Sequence, residues 1–225
     1  MLRILGFVAS INVRKVLWAC EEIGVPYLLE PWGGRDGRPT SDPAFRALNP
    51  AGLVPVVVDG DPAQGGLVLP ESNTILRWLA TRHERRDLLP PADAAHAAAR
   101  ARIEQWIDWQ ATEFNGAWLY AFLALVRRTP GHDDPAKIAA SLAAWDGMIA
   151  LIDAQLQKTG GHIAGPEFTL ADIPVGLGLH RWMTLPAALR QPHAGPRPAL
   201  PHAEAYHARL AARPAFAAHG SLTEI

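Results

Sequence analysis

The dipeptide Val54-Pro55 opens the apolar run Val56-Val57-Val58. Asn49-Pro50-Ala51-Gly52 stands before it and Leu69-Pro70-Glu71-Ser72 follows, and together these constrain the fold more than any other stretch of the chain. The valine run has the β-branched content of a buried strand. Pro55 has no N–H to give to a sheet, so it belongs at the start or edge of that strand. Such a position favours a cis peptide bond. A cis bond would turn the N–H and C=O of Val54 outward, free to pair with an extended peptide. Ser72 opens the next helix, and its first N–H groups offer a place for a carboxylate. Glu71 beside it offers negative charge to an ammonium group. These groups suit a short peptide carrying an amine and a carboxylate at one end.

Around this stretch the chain reads as alternating elements. Arg3–Val8 predicts a first strand, Val13–Ile23 a helix with Val13, Val16, Leu17, Cys20 and Ile23 on one face, and Tyr27–Leu29 a second strand. Gly24 stops the helix, with Pro26 just beyond. Strand, helix and strand with a short return form a βαβ unit, so the two strands should be parallel. Trp32–Pro43 is a loop and Phe45–Leu48 at most a helical turn. The strands at Val56 and Leu67 form a hairpin, and a helix runs from Ser72 to Arg82. The order βαβ, loop, ββα is that of a thioredoxin-like domain.

After His83 the composition changes. Residues 84–94 read as a linker around Leu88-Leu89-Pro90-Pro91, and helical spacing then dominates. Residues 92–128 predict a long helix that Gly116 kinks or ends. Pro135–Gln157 predicts another, with Leu142, Trp145, Ile149, Ile152 and Leu156 inward. Thr169-Leu170-Ala171-Asp172 reads as a capping box opening a helix, and a last helix covers Pro201–Ala212. The expected architecture is α/β plus all-α. A thioredoxin-like domain spans residues 1–83, the linker 84–94, and an all-helical C-terminal bundle 95–225.

The formal charge of −1 and the absence of long runs of one sign indicate neither nucleic acid nor an anionic membrane as partner. Cys20 is the single cysteine, so no internal disulfide can form, and a reducing compartment fits. No signal peptide and no apolar run approaching a membrane span is read, and a cytoplasmic location is expected. Among the nine histidines none is paired at zinc-binding spacing, so no metal site is expected.

The γ-glutamyl end of glutathione is a ligand of the kind the first stretch suits. Asn-Pro-x-Gly-x-Val-Pro followed by Glu-Ser at the next helix start resembles the glutathione site of cytosolic glutathione transferases, over essentially the whole chain. The resemblance implies that Leu53, Val54 and Pro55 receive the cysteinyl backbone of glutathione, and that Glu71 and Ser72 hold its γ-glutamyl end. Ser10 and Asn12 lie where the first strand passes into the first helix. A hydroxyl or amide N–H there can donate to a thiolate, and neither is a base at neutral pH, so the role would be electrostatic. Ser10 or Asn12 can also be simply the N-cap, and the two roles can coexist. Ser-x-Asn resembles the bacterial theta-like and nu-like groups, with Ile11 departing from the Pro of some nu-like members. Leu53 stands where many theta-like members carry Lys or Arg, which leaves the glycyl carboxylate to another partner such as Arg35 or Arg38.

Cys20 lies inside the helix as a packing thiol rather than a nucleophile. Trp118, Tyr120 and Phe122 are candidates for the second-substrate site. The resemblance implies conjugation of glutathione, as co-substrate, to a small hydrophobic electrophile, a role in detoxification, and a homodimer. A nu-like glutathione-dependent disulfide reductase or peroxidase is the alternative. A non-catalytic interaction module on the same fold is the alternative from another class.

Overall fold

A computed structural model describes residues 1–221. Strand β1 (Leu2–Gly6) passes through helix α1 (Ile11–Ile23) to strand β2 (Tyr27–Pro31). The two strands pair in parallel, from Leu2 opposite Tyr27 to Gly6 opposite Pro31. Gly24 ends α1 at φ 80°, its N–H bonded to the Cys20 carbonyl at 2.8 Å. A short helix α2 (Pro43–Leu48), capped by the Asp42 carboxylate, leads to strands β3 (Val56–Asp59) and β4 (Leu67–Pro70) and helix α3 (Ser72–Arg82). The sheet order is β2-β1-β3-β4, with β3 antiparallel to both of its neighbours.

Period-two alternation divides the sheet between two cores. Ile4 and Val57 face the main core with α1 and α3, whereas Leu5, Val56 and Val58 pack with Trp32 and Phe45 on the face that α2 covers. A helix layer on both faces explains why Val56–Val58 is buried without interruption.

The remaining elements are helical: α4 (Ala97–Trp109), a π-helical turn (Gln110–Phe114), α5 (Asn115–Leu125), α6 (Pro135–Thr159), α7 (Asp172–Thr184), α8 (Ala187–Arg190), α9 (Pro201–Ala211) and a second π-helical turn (Phe216–Gly220). The break in the long helix therefore falls at Gln110–Phe114, upstream of the expected Gly116. The turn holds a buried polar side chain, Gln110, which accepts from Lys15 and donates to Asn115.

The Asp172 capping box is half realised. Asp172 Oδ2 accepts the Thr169 N–H at 2.7 Å, but the Thr169 hydroxyl donates to the same oxygen at 3.1 Å rather than capping Asp172 N–H, which bonds the Thr169 carbonyl. Helix α7 is buried from Asp172 to Trp182. It fits between neighbours because Gly176 and Gly178 carry no Cβ. An added Cβ would lie 2.5 Å from Leu210 Cδ1 at the first and 2.6 Å from Phe114 Cε1 at the second.

By length and mean hydropathy (1.3), the 25-residue α6 matches a membrane span, contrary to the expectation that no run approaches that length. Its stripe Ile138, Leu142, Trp145, Ile149, Ile152 and Leu156 is buried, and the helix packs on α5 and α9. Residues 84–94 are tied to the helical part. Leu88 and Leu89 are buried, and the Leu88 carbonyl accepts the Leu170 N–H at 2.9 Å.

Candidate functional site

The Val54–Pro55 peptide bond is cis. The loop before it is held by Asn49, whose Nδ2 donates to the Leu53 carbonyl at 2.8 Å and whose Oδ1 accepts the Ala51 N–H at 3.2 Å. Neither the N–H nor the C=O of Val54 has a hydrogen-bond partner among the described residues. Leu53 is 64% exposed.

Glu71 adopts φ 71° and ψ 105°, a region an L side chain occupies at a cost of about 1–3 kcal/mol and one that concentrates at functional sites. It directs the chain into α3, where Ser72 is buried and its hydroxyl donates to Asn12 Oδ1 at 3.4 Å. The result is a small cleft of about 50 Å³ lined by Asn12, Asn49, Leu53, Val54, Pro55, Glu71 and Ser72.

On the other side of Asn12 lies a cleft of about 500 Å³. Phe7, Ser10, Ile11 and Asn12 of the β1–α1 turn form one wall, and Thr112, Asn115, Trp118, Leu119 and Phe122 form the other, with Arg127 and Arg181. Ser10 occupies the N-cap position of α1, yet its hydroxyl makes no capping bond and has no partner among the described residues. Asn12 presents Oδ1 to Ser72, which leaves its Nδ2 N–H groups unengaged among those residues. The first-turn N–H groups of α1 add positive partial charge at the same place. Donors of this kind can stabilise an anion held between the two clefts.

Two of the three aromatic candidates join this cleft. Trp118 and Phe122 line it, and the Arg181 guanidinium stacks on both rings, 4.7 Å and 3.9 Å from their centroids. Tyr120 does not line it. Helical spacing turns Tyr120 to the opposite side, where its ring lies 5.0 Å from that of His132. Arg38 stacks on Trp32 at 3.8 Å and lies 3.5 Å from Glu30, while Arg35 lines a separate 540 Å³ hollow behind Phe7. Cys20 is buried, and burial pushes its thiol up to about 12, far from a reactive thiolate. No group of three or more His, Cys, Asp or Glu side chains converges to hold a metal ion among the described residues.

Residues 9–82 match the family model described as "Glutathione S-transferase, N-terminal domain". Glutathione S-transferase GstB of Escherichia coli K12 is 36% identical over 175 residues, which cover 78% of this chain and 80% of that protein. The chain belongs to the glutathione S-transferase family. Maize (Zea mays) glutathione S-transferase 3 is 32% identical over 219 residues, covering 96% and 91% of the two chains. Among solved structures, the theta class glutathione S-transferase from Xanthomonas axonopodis pv. citri with glutathione bound superposes with a TM-score of 0.83. It is 37% identical and is covered at 99%, against 100% of this chain. A theta-class neighbour accords with the Ser-x-Asn reading, and the thioredoxin-like assignment of the sheet domain stands with it.

Several residues of the site or in contact with it were not singled out from sequence: Phe7, Lys15, Asn73, Gln110, Asn115 and Arg181. Lys15 carried a usable signal. It sits among Val13, Val16 and Leu17 in a helix whose buried residues run from Ile11 to Cys20 with Asn12 the exception, and a lysine in such surroundings needs a partner.

Proposed function

We propose that this family member conjugates the thiolate of glutathione to a small hydrophobic electrophile. The observation that carries the reading is the position of Asn12, which lines both the small cleft and the large one. The small cleft offers what the peptide needs. The unpaired N–H and C=O of Val54 suit the cysteinyl backbone, Ser72 at the start of α3 suits the γ-glutamyl carboxylate, and Glu71 suits the ammonium group. The glutathione in the Xanthomonas relative supports the same ligand for this chain. The sulfur then lies beside Ser10 and Asn12. Its S–H proton leaves for solvent, and the hydroxyl and amide N–H stabilise the remaining anion without acting as bases. The thiolate forms a carbon–sulfur bond with an electrophile resting on Trp118 and Phe122, and the leaving group departs toward the open mouth of the large cleft. The boundary at residues 84–94, a homodimeric assembly and a cytoplasmic location belong to the same proposal, supported by family membership.

The test is replacement of Ser10 and Asn12 by Ala, singly and together. Turnover on a chloronitrobenzene should fall about 10²-fold for the more important residue, the size of effect seen when one anion-stabilising donor is removed. The KM for glutathione should change little. Thiolate absorbance of the bound peptide should titrate at higher pH in the double variant, and an unchanged titration would refute the mechanism. Turnover of a small disulfide exceeding that of the chloronitrobenzene would point to reduction instead. Glu71→Gln should leave kcat near its wild-type value and raise the KM for glutathione about 10-fold, the loss of one charge-assisted contact.

A further inference from the structure

We propose that Lys15 is the buried cation that compensates the charge of bound glutathione, acting from beneath the site as a positioning residue that takes up a proton when the anionic peptide binds. The inference rests on the reading of the site above and adds to it a group and a proton-linked step.

Lys15 is 1% exposed and has no carboxylate within ion-pair distance among the described residues. Its Nζ donates to Asn73 Oδ1 at 3.2 Å and to Gln110 Oε1 at 2.8 Å. A neutral amine has two N–H groups and an ammonium has three. The two amide oxygens therefore saturate the neutral form, and the third N–H of the charged form finds no acceptor among the described residues. A buried ammonium held only by neutral groups is costly, so the site as it stands favours the neutral amine.

The location explains what would reverse that preference. Lys15 is three residues after Asn12 on α1, so the two share a face of the helix. Asn73 follows Ser72, which bonds back to Asn12. Lys15, Asn73, Ser72 and Asn12 thus close a loop directly under the small cleft. On the far side, Gln110 passes the contact to Asn115 Oδ1 at 2.8 Å, and Asn115 lines the large cleft.

Two charged groups act on Lys15 from the surrounding elements. Arg181 of α7 opposes its protonation, and Glu71 at the head of α3 favours it. Burial and then Arg181 lower its amine to about 7, within reach of conversion by a modest added field. Bound glutathione adds a carboxylate at Ser72 and a thiolate near Asn12. Both favour the ammonium. The proton balance follows: the thiol releases one proton to solvent, Lys15 takes up a fraction of one from solvent, and net release is smaller than the thiolate formed.

The experiment is isothermal titration near neutral pH, in buffers of differing ionisation enthalpy, with S-methylglutathione as the ligand. This analogue has no thiol proton, so any proton change belongs to the protein. The wild-type protein should take up a fraction of a proton on binding, and Lys15→Met should take up none. With glutathione itself, Lys15→Met should hold about tenfold less thiolate at a fixed pH, the effect of losing one nearby opposite charge.

Should Lys15→Met fold poorly, the wild-type protein answers alone. NMR titration of the Lys15 Cε signal should move to higher pH when S-methylglutathione is added. Equal proton uptake in both proteins, or an unmoved Cε titration in a protein that binds the analogue, overturns the role of Lys15 and leaves the transferase reading intact. Failure of the wild-type protein to bind glutathione or its analogue overturns both.

Discussion

Lys15 and Cys20 lie on the same buried helix, and burial moves them in opposite directions, the amine down to about 7 and the thiol up to about 12. Their effects on stability are opposite as well. Between about 7 and the ordinary lysine value of 10.5, the unfolded chain holds a proton on Lys15 that the folded chain lacks, so stability rises with pH through that window. Below it the full cost of the buried ammonium is present. The free-energy difference between wild type and Lys15→Met, followed by urea titration, should move in favour of wild type across the window by on the order of 5 kcal/mol. The variant leaves Asn73 and Gln110 oxygens without their donor, so the slope is the informative quantity. Cys20 keeps its proton when folded, and its contribution is present below the ordinary value of 9.0 and lost as pH climbs toward about 12. Its removal should therefore flatten the alkaline limb only.

The packing of α7 against α9 and the second π-helical turn depends on a pair of histidines. His180 Nε2 donates to the Ser221 carbonyl at 3.2 Å, which leaves its Nδ1 to accept the Nε2–H of His207 at 2.9 Å. Burial lowers the pKa of both rings and so favours their neutral forms, and in the neutral pair this hydrogen-bond pattern sets the tautomers. Burial, His207 and Arg14 hold His180 down to about 4. The unfolded chain binds a proton from the ordinary value of 6.5 downward, so stability is full above 6.5 and is lost as pH falls toward 4. The loss should reach on the order of 3 kcal/mol, and His180→Asn should show a shallower acid slope by thermal unfolding.

At the other end of α7, Asp172 accepts hydrogen bonds from Ile163 N–H, Thr169 N–H, the Thr169 hydroxyl and the Tyr206 hydroxyl, the last at 2.7 Å. Asp172→Ala strands buried donors from three segments. It should cost about 3–5 kcal/mol in denaturant unfolding, since each buried donor left unsatisfied costs about 1–3 kcal/mol.

The main core runs from the sheet domain into the helical domain, while the smaller core under α2 stays within the sheet domain. Trp18 of α1 is fully buried against Phe168 and Phe216, ring centroids 6.1 Å and 5.1 Å away, and its Nε1 donates to Glu22, which Arg213 grips with two hydrogen bonds. The sheet domain therefore shares its larger core with the helices. Circular dichroism and tryptophan fluorescence should report a single coincident transition, and two separated transitions would contradict a shared core.

The sheet domain was legible because its signals are local. A proline without an N–H marks the strand start, the β-branched run Val56–Val58 marks the buried strand, and Gly24 and Ser72 mark helix ends within a residue of where they fall. The small cleft was legible for the same reason, since its lining lies within two short stretches and one helix turn. The large cleft was legible only in part. Trp118 enters it and Tyr120 does not, because rotation of α5 is fixed by packing against α6, and the π-helical turn before α5 holds Gln110, bonded to Lys15 across 95 residues of chain. Local steric and hydrogen-bonding rules, written in neighbouring residues, determined the elements and the loop around the cis Val54–Pro55 bond. The charge state of Lys15, the tautomers of the histidine pair and the wall of the second cleft were decided only by tertiary structure, because burial and long-range contacts set their energies.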